Sequence, residues 1–256
     1  MLCNALARAG DIDDAVPHGE MAVELGERIG DERRVAWANI MLSHCYTRLL
    51  GRGDPVEAHK YNSKAQRIFA RIGDYRGLAW VLWVEADVAF VNSNSDLAVT
   101  TMREHNTRAA SSGGFQHEMS AAMGILAFYL AEQGKFEEAL QQGREALRKM
   151  EELDNGLQAC ETHAVMATIL VNLGPQRLQE ARAHAEASQN IAHRVGAKRV
   201  VGLSLLAEAH IALARGDKLL AKTRAEEAGR IFEACRANWY LRRAQDFLEE
   251  VRAADS

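Results

Sequence analysis

The chain has 256 residues, 48% of them apolar and 26% charged, and 31 basic against 35 acidic residues leave a net charge of −4. That charge, with an isoelectric point near 6.2, excludes a generic binder of polyanions. So large an apolar fraction at so small a net charge excludes a disordered chain, and three prolines amid abundant alanine point to an almost wholly helical protein.

At the N-terminus, residues 1–30 carry no basic stretch leading into an apolar one, so no signal peptide is expected. The longest apolar run, Leu78 to Val84, is broken by Glu85 and falls far short of the roughly 20 residues a membrane span needs. A cytoplasmic location is expected. The four cysteines, Cys3, Cys45, Cys160 and Cys235, are far apart and have no histidine at ligand spacing, so they read as small core residues in a reducing compartment.

A repeated frame runs along the chain. It begins as Gly10-Asp11-Ile12-Asp13-Asp14-Ala15, returns as Gly53-Asp54-Pro55-Val56-Glu57-Ala58, and returns again as Gly134-Lys135-Phe136-Glu137-Glu138-Ala139 and Gly216-Asp217-Lys218-Leu219-Leu220-Ala221. Weaker copies centre on Ala98 and Ala181, so the six alanines stand 43, 40, 41, 42 and 40 residues apart. Seven residues after each comes Ala22, Ala65, His105, Ala146, Ser188 or Ala228, and seven further comes Ile29, Ile72, Ser112, Leu153, Val195 or Cys235. Residues seven apart are two helical turns apart, so these sets are expected to mark one helix face.

Local chemistry explains the frame. Glycine ends one helix because it tolerates the left-handed cap conformation. A short polar residue caps the next; Asp54-Pro55 has the acid and the proline of a helix start. Alanine follows where two helices cross closely. The second helix of each unit is expected to end near Gly30-Asp31, Gly73-Asp74, Gly113-Gly114, Asp154 and Gly196. A single helix pair cannot bury its apolar face, whereas stacked pairs can, which predicts an all-α solenoid. The expected divisions are a partial first repeat over 1–30, repeats over 31–73, 74–114, 115–154, 155–196 and 197–237, and a polar C-terminal capping helix over 238–256. By phase, the partner of the first helix would precede Met1. This predicts a piece of a longer protein, with self-association through the incomplete repeat as one consequence.

These six in-phase copies resemble a tetratricopeptide repeat array of a longer, about 40-residue type. Such arrays are similar to the repeat regions of bacterial ATPase-type transcription regulators and class III adenylyl cyclases. The resemblance implies a right-handed superhelix of stacked antiparallel helix pairs whose first helices line a concave face where peptides or helices lie. Alignment on the inter-repeat Gly-Asp puts Trp37, Trp80, Ala121, Cys160 and Leu203 at one level of that face. Ile40, Trp83, Gly124, His163 and Leu206 form the next, then His44, Asp87, Phe128, Ala167 and His210, then Thr47, Phe90, Ala131, Leu170 and Leu213. The partner-binding candidates are therefore Trp37, Ile40, His44, Trp80, Trp83, Asp87, Phe90, Phe128, His163 and His210. None of these levels carries the lysine and asparagine with which one subclass grips a C-terminal carboxylate, and an apolar, aromatic groove fits a helix or apolar segment better. Asp87, a carboxylate among apolar neighbours, needs a partner or a raised pKa.

Other signals dissolve into the repeat. Asp11-Ile12-Asp13-Asp14, which spells an acidic cyclase signature, and the tripeptides Arg52-Gly53-Asp54 and Arg215-Gly216-Asp217 all fall on the same turn. No nucleotide-binding loop, H-E-x-x-H site or nucleophile elbow occurs. The expectation is a non-catalytic interaction scaffold without cofactor or metal, from a bacterial signalling or regulatory protein. Its partner would be a protein or peptide segment, or an upstream domain of its parent chain, and neither nucleic acid nor membrane. The alternative is a sensor module that closes on a small molecule and controls an attached ATPase or cyclase.

Overall fold

A computed structural model describes residues 2–9, 11–47, 54–111 and 116–253. Gly10, Gly53, Gly113 and Gly114, expected at inter-helix turns, and Ser112 lie outside the described residues. Among the described residues the secondary structure is all helical. In chain order it comprises α1 (Leu2–Ala9), α2 (Ile12–Arg28), α3 (Glu32–Tyr46), α4 (Pro55–Ile72), α5 (Tyr75–Val91), α6 (Ser95–Ser111), α7 (Gln116–Glu132), α8 (Phe136–Glu152) and α9 (Gly156–Asn172). After a 3-10 turn at Pro175–Arg177 come α10 (Leu178–Val195), α11 (Lys198–Ala214), α12 (Lys218–Ala234) and α13 (Asn238–Ala253). None of the described helices is long and apolar enough to cross a membrane.

The chain divides into two compact units, Met1–Phe115 and Gln116–Ser256. In the first, α1 packs on α2, α3 on α4 and α5 on α6, and α3 also lies against α5. In the second, α7 packs on α8, α9 on α10 and α11 on α12; α7, α9 and α11 lie side by side and α13 docks on α12. Each unit is thus a stack of helix pairs, an all-α repeat fold.

The helix boundaries follow from their terminal residues. Asp31, Asp54, Asp74 and Asp217 occupy N-cap positions, and their carboxylates accept backbone N–H groups of the first turn, at 3.0 Å from Arg34, Val56, Gly77 and Leu220. Pro55 opens α4, where a missing N–H costs nothing. Asp11 also stands at an N-cap position but makes no side-chain capping bond. Gly73 and Gly196 close their helices at φ 70°. Asp154 adopts the same left-handed turn at φ 51°, which makes Asn155 the N-cap of α9. Asp154 therefore stands where the other junctions have glycine, and α9 begins one residue later than a Gly-Asp alignment supposes.

The core of the stack is a stripe of small residues on the second helices. Ala15, Ala58, Ala98, Ala139, Ala181 and Ala221 have no exposed surface. The stripe continues four, seven and eleven residues on, as in Ala181, Ala185, Ser188 and Ala192, all fully buried. Two expectations are corrected. Ala22 is exposed, because α2 turns Gly19 and Gly26 inward instead. Ile29, Ile72 and Val195 are also exposed, whereas Cys235 at the same level is buried; a seven-residue step drifts about 20° per two turns, so two such steps carry the position to the edge of the buried face.

Candidate functional site

The candidate stripe of the first unit forms one aromatic cluster. Trp80 stacks on Trp83 at 5.1 Å between centroids. The edge of Trp37 meets Trp80 at 5.9 Å, and His44 meets Trp80 at 5.4 Å and Trp83 at 6.1 Å. His44 Nδ1 lies 3.7 Å from Asp87 Oδ2, so the carboxylate has the imidazole as its neighbour across α3 and α5. Trp83 continues to His105 on α6, at 5.5 Å. Most of this cluster is interior: Trp83 is 6% exposed, Asp87 1%, and Ile40 not at all. Ile40 packs with Ala36, Phe69 and Val81 against α4, and Phe90 is buried too. Trp37 and Trp80 alone of these candidates keep a partly exposed face. Trp37 also carries the guanidinium of Arg76 at 5.6 Å.

In the second unit the first-helix faces line a small, half-open cavity of about 60 Å³. Phe128 and Ala131 of α7, Ala164 and Thr168 of α9, and Leu206 and His210 of α11 line it, with Trp239 and Arg243 of α13. Here the one-residue shift of α9 matters. Counted from each helix start, Ala164 and Thr168 occupy the levels where a Gly-Asp alignment puts His163 and Ala167. His163 accordingly faces the other way, toward α10, with its Nδ1 2.7 Å from Nδ1 of His184. Two ring nitrogens so close share one hydrogen, so at most one of them carries it. Burial lowers the pKa of His163 to about 4, with the His184 charge adding to the effect, and burial also lowers His184.

The cavity has a polar end that the sequence reading missed. Arg243 of α13 donates from both terminal nitrogens to the Glu132 carboxylate of α7, at 2.8 and 3.0 Å. These residues are 111 positions apart, so no local pattern announces the pair. Arg243 also lies over the Trp239 ring at 5.2 Å, and Trp239 meets Phe128 edge-on at 5.6 Å. Burial raises the Glu132 carboxyl above its ordinary value against the opposing pull of Arg243. Burial, with the nearby Arg243 charge, holds His210 at about 4, so its imidazole is neutral at pH 7. His210 packs against Phe247 at 4.5 Å. The result is an apolar socket with aromatic walls, clasped on one side by an ion pair between the first and last helices of the unit. Among the described residues no group of three or more His, Cys, Asp or Glu side chains is placed to hold a metal ion.

No family model and no curated protein sequence matches the chain. Solved structures do. A Rap protein complexed with competence and sporulation factor superposes with a TM-score of 0.69 at 14% identity, over 97% of this chain and 73% of that one. BtubC from P. vanneervenii gives 0.62 at 17% identity, over 87% and 91% of the two chains. A signal transduction ATPase with numerous domains from Pyrococcus horikoshii, which carries a tetratricopeptide repeat sensor, gives 0.58 at 16%, over 96% of this chain and 37% of that one. With its stacked helix pairs, glycine-closed turns and small-residue crossings, this chain has the fold of a tetratricopeptide-like repeat array.

Proposed function

We propose that the chain is a non-catalytic protein-interaction array of a signalling or regulatory system, and that the inner face of its second unit grips a partner segment by one apolar side chain. The cavity between Phe128, Thr168, Leu206 and Trp239 carries this reading. At about 60 Å³ it has the scale of part of a side chain, while small-molecule sites run to about 300–1,000 Å³. That difference favours a peptide or helix over a metabolite, and so favours the scaffold reading over the sensor reading. The aromatic walls supply the rigid contact area on which binding hot spots are built. The neighbour in fold that was solved with competence and sporulation factor supports a protein or peptide partner in kind.

The test is selection of short peptides from a displayed random library on the whole chain, followed by titration against Thr168→Phe, which fills the socket. Selected peptides should share an apolar or aromatic residue and bind the variant at least about tenfold more weakly, a loss of about 1.4 kcal/mol. The melting curve of the variant serves as the control for folding. Equal affinity for both proteins would move the binding face elsewhere.

A further inference from the structure

Cys3 of α1 and Cys45 of α3 meet inside the first unit with their sulfurs 3.8 Å apart. They share one apolar cluster with Ala7, Ile12, Val16 and Leu42. Cys3 is 5% exposed and Cys45 has no exposed surface. Helix α2 passes over Cys3 at Gly19, where a Cβ would stand 3.1 Å from the Cys3 sulfur and 2.6 Å from a Leu42 methyl; the missing side chain leaves the Cys3 sulfur its room. A disulfide brings two sulfurs to about 2.05 Å, so closure requires an approach of under about 2 Å. Closure therefore calls for side-chain rotation with a small slide of the eight-residue α1.

We propose that Cys3 and Cys45 are an oxidisable pair that closes to a disulfide and staples α1 to α3 across α2. The two thiols differ in a way that orders the chemistry. Cys3 keeps a small exposed surface while Cys45 has none, and the hydrogen bond between the two sulfurs favours a thiolate at Cys3 against the effect of burial, so Cys3 is the sulfur that peroxide reaches first. Its sulfur attacks one oxygen of hydrogen peroxide and breaks the O–O bond, leaving a sulfenic acid and, once the departing hydroxide takes up a proton, water. The Cys45 sulfur then attacks the sulfenic sulfur, and the S–O bond breaks with loss of a second water. Two thiols and one peroxide become one disulfide and two waters. Cys160 differs on each count: its thiol donates to the Leu157 carbonyl at 3.0 Å, and burial pushes it up to about 12.

The experiment uses the full chain, folded and reduced, treated with hydrogen peroxide in slight excess. The chain is then unfolded in denaturant containing excess alkylating reagent, so that every remaining thiol is capped as it becomes exposed, and the products are digested with trypsin. Two of the four thiols should disappear, and the peptides 1–8 and 35–48 should be recovered joined, separable by dithiothreitol. The staple closes a long loop, so the melting temperature of the first unit should rise by roughly 5–15 °C. Cys45→Ser should leave Cys3 as a sulfenic acid that dimedone traps, while Cys160→Ser with Cys235→Ser should leave the link intact. Alkylation of all four thiols after treatment, a different pairing, a link between two chains, or Cys3 driven to the sulfinic acid without a link would each overturn the proposal.

Discussion

Gly77 lies at the start of α5, and a Cβ there would stand 2.3 Å from the ring of the fully buried Phe69. Alanine ordinarily improves a helix by about 1 kcal/mol over glycine. Here the ring has nowhere to go, so Gly77→Ala should lower stability by about 1–3 kcal/mol. Chemical denaturation checks the sign, and a gain would mean the helices are looser than the geometry says. Trp83 lies on the stripe that the repeat resemblance marks for partners, yet it stacks on Trp80 and is almost wholly enclosed. Trp83→Ala should cost about 3–5 kcal/mol of folding stability. A loss near zero would return it to an open groove.

The helix is the scale at which the second unit is held together and made sensitive to acid. The clasp between α7 and α13 rests on Arg243 and Glu132. Arg243 is 43% exposed at its side chain and Glu132 18%, so the attraction itself is screened, and the larger penalty lies in leaving Glu132 unpaired in its apolar socket. Arg243→Ala should destabilise the unit by about 1–2 kcal/mol, and Glu132→Gln by less, since a neutral amide is cheaper to bury. Equal losses in thermal melts would argue that the charge is immaterial.

His163 and His210 set the pH response. Each has a folded pKa of about 4 against an ordinary value of 6.5. A base depressed in the folded state leaves the unfolded chain binding more protons between those values. The stability is therefore intact above pH 6.5 and lost as pH falls toward 4. Between pH 7 and pH 5 each buried histidine should cost about 1–2 kcal/mol. Protonation of the Glu132 and Glu208 carboxyls, both raised by burial, offsets part of that. Melting at the two pH values should show the loss, and His210→Gln should remove part of it while leaving the share of the His163–His184 pair. An acid-insensitive wild type would refute the assignment.

At the scale of the whole molecule, each unit carries at least three stacked helix pairs or their equivalent and its own buried stripe. Repeat arrays are stable when enough neighbours cover one another's apolar faces. Residues 116–256 expressed alone should therefore keep their helical circular dichroism and melt cooperatively. A fragment without a cooperative transition would show that the unit depends on the rest of the chain.

The amino-acid sequence by itself determined the fold class, because its information is local and repeated. Glycine at left-handed turns, aspartate at N-caps and alanine at crossings each act within a few residues, and six in-phase copies leave little choice but stacked helix pairs. The same locality explains the misreading at α9. Asp154 fills a turn that glycine fills elsewhere, and nothing short of the backbone conformation distinguishes it from the cap that follows. Only the tertiary structure decided which faces are enclosed. It turned Gly19 and not Ala22 inward, sent His163 to His184, buried Trp83 and Asp87, and brought Arg243 to Glu132. Those outcomes depend on how far each helix is rotated and how closely its neighbour approaches. Both are properties of the stack, and a repeat in one dimension does not encode them.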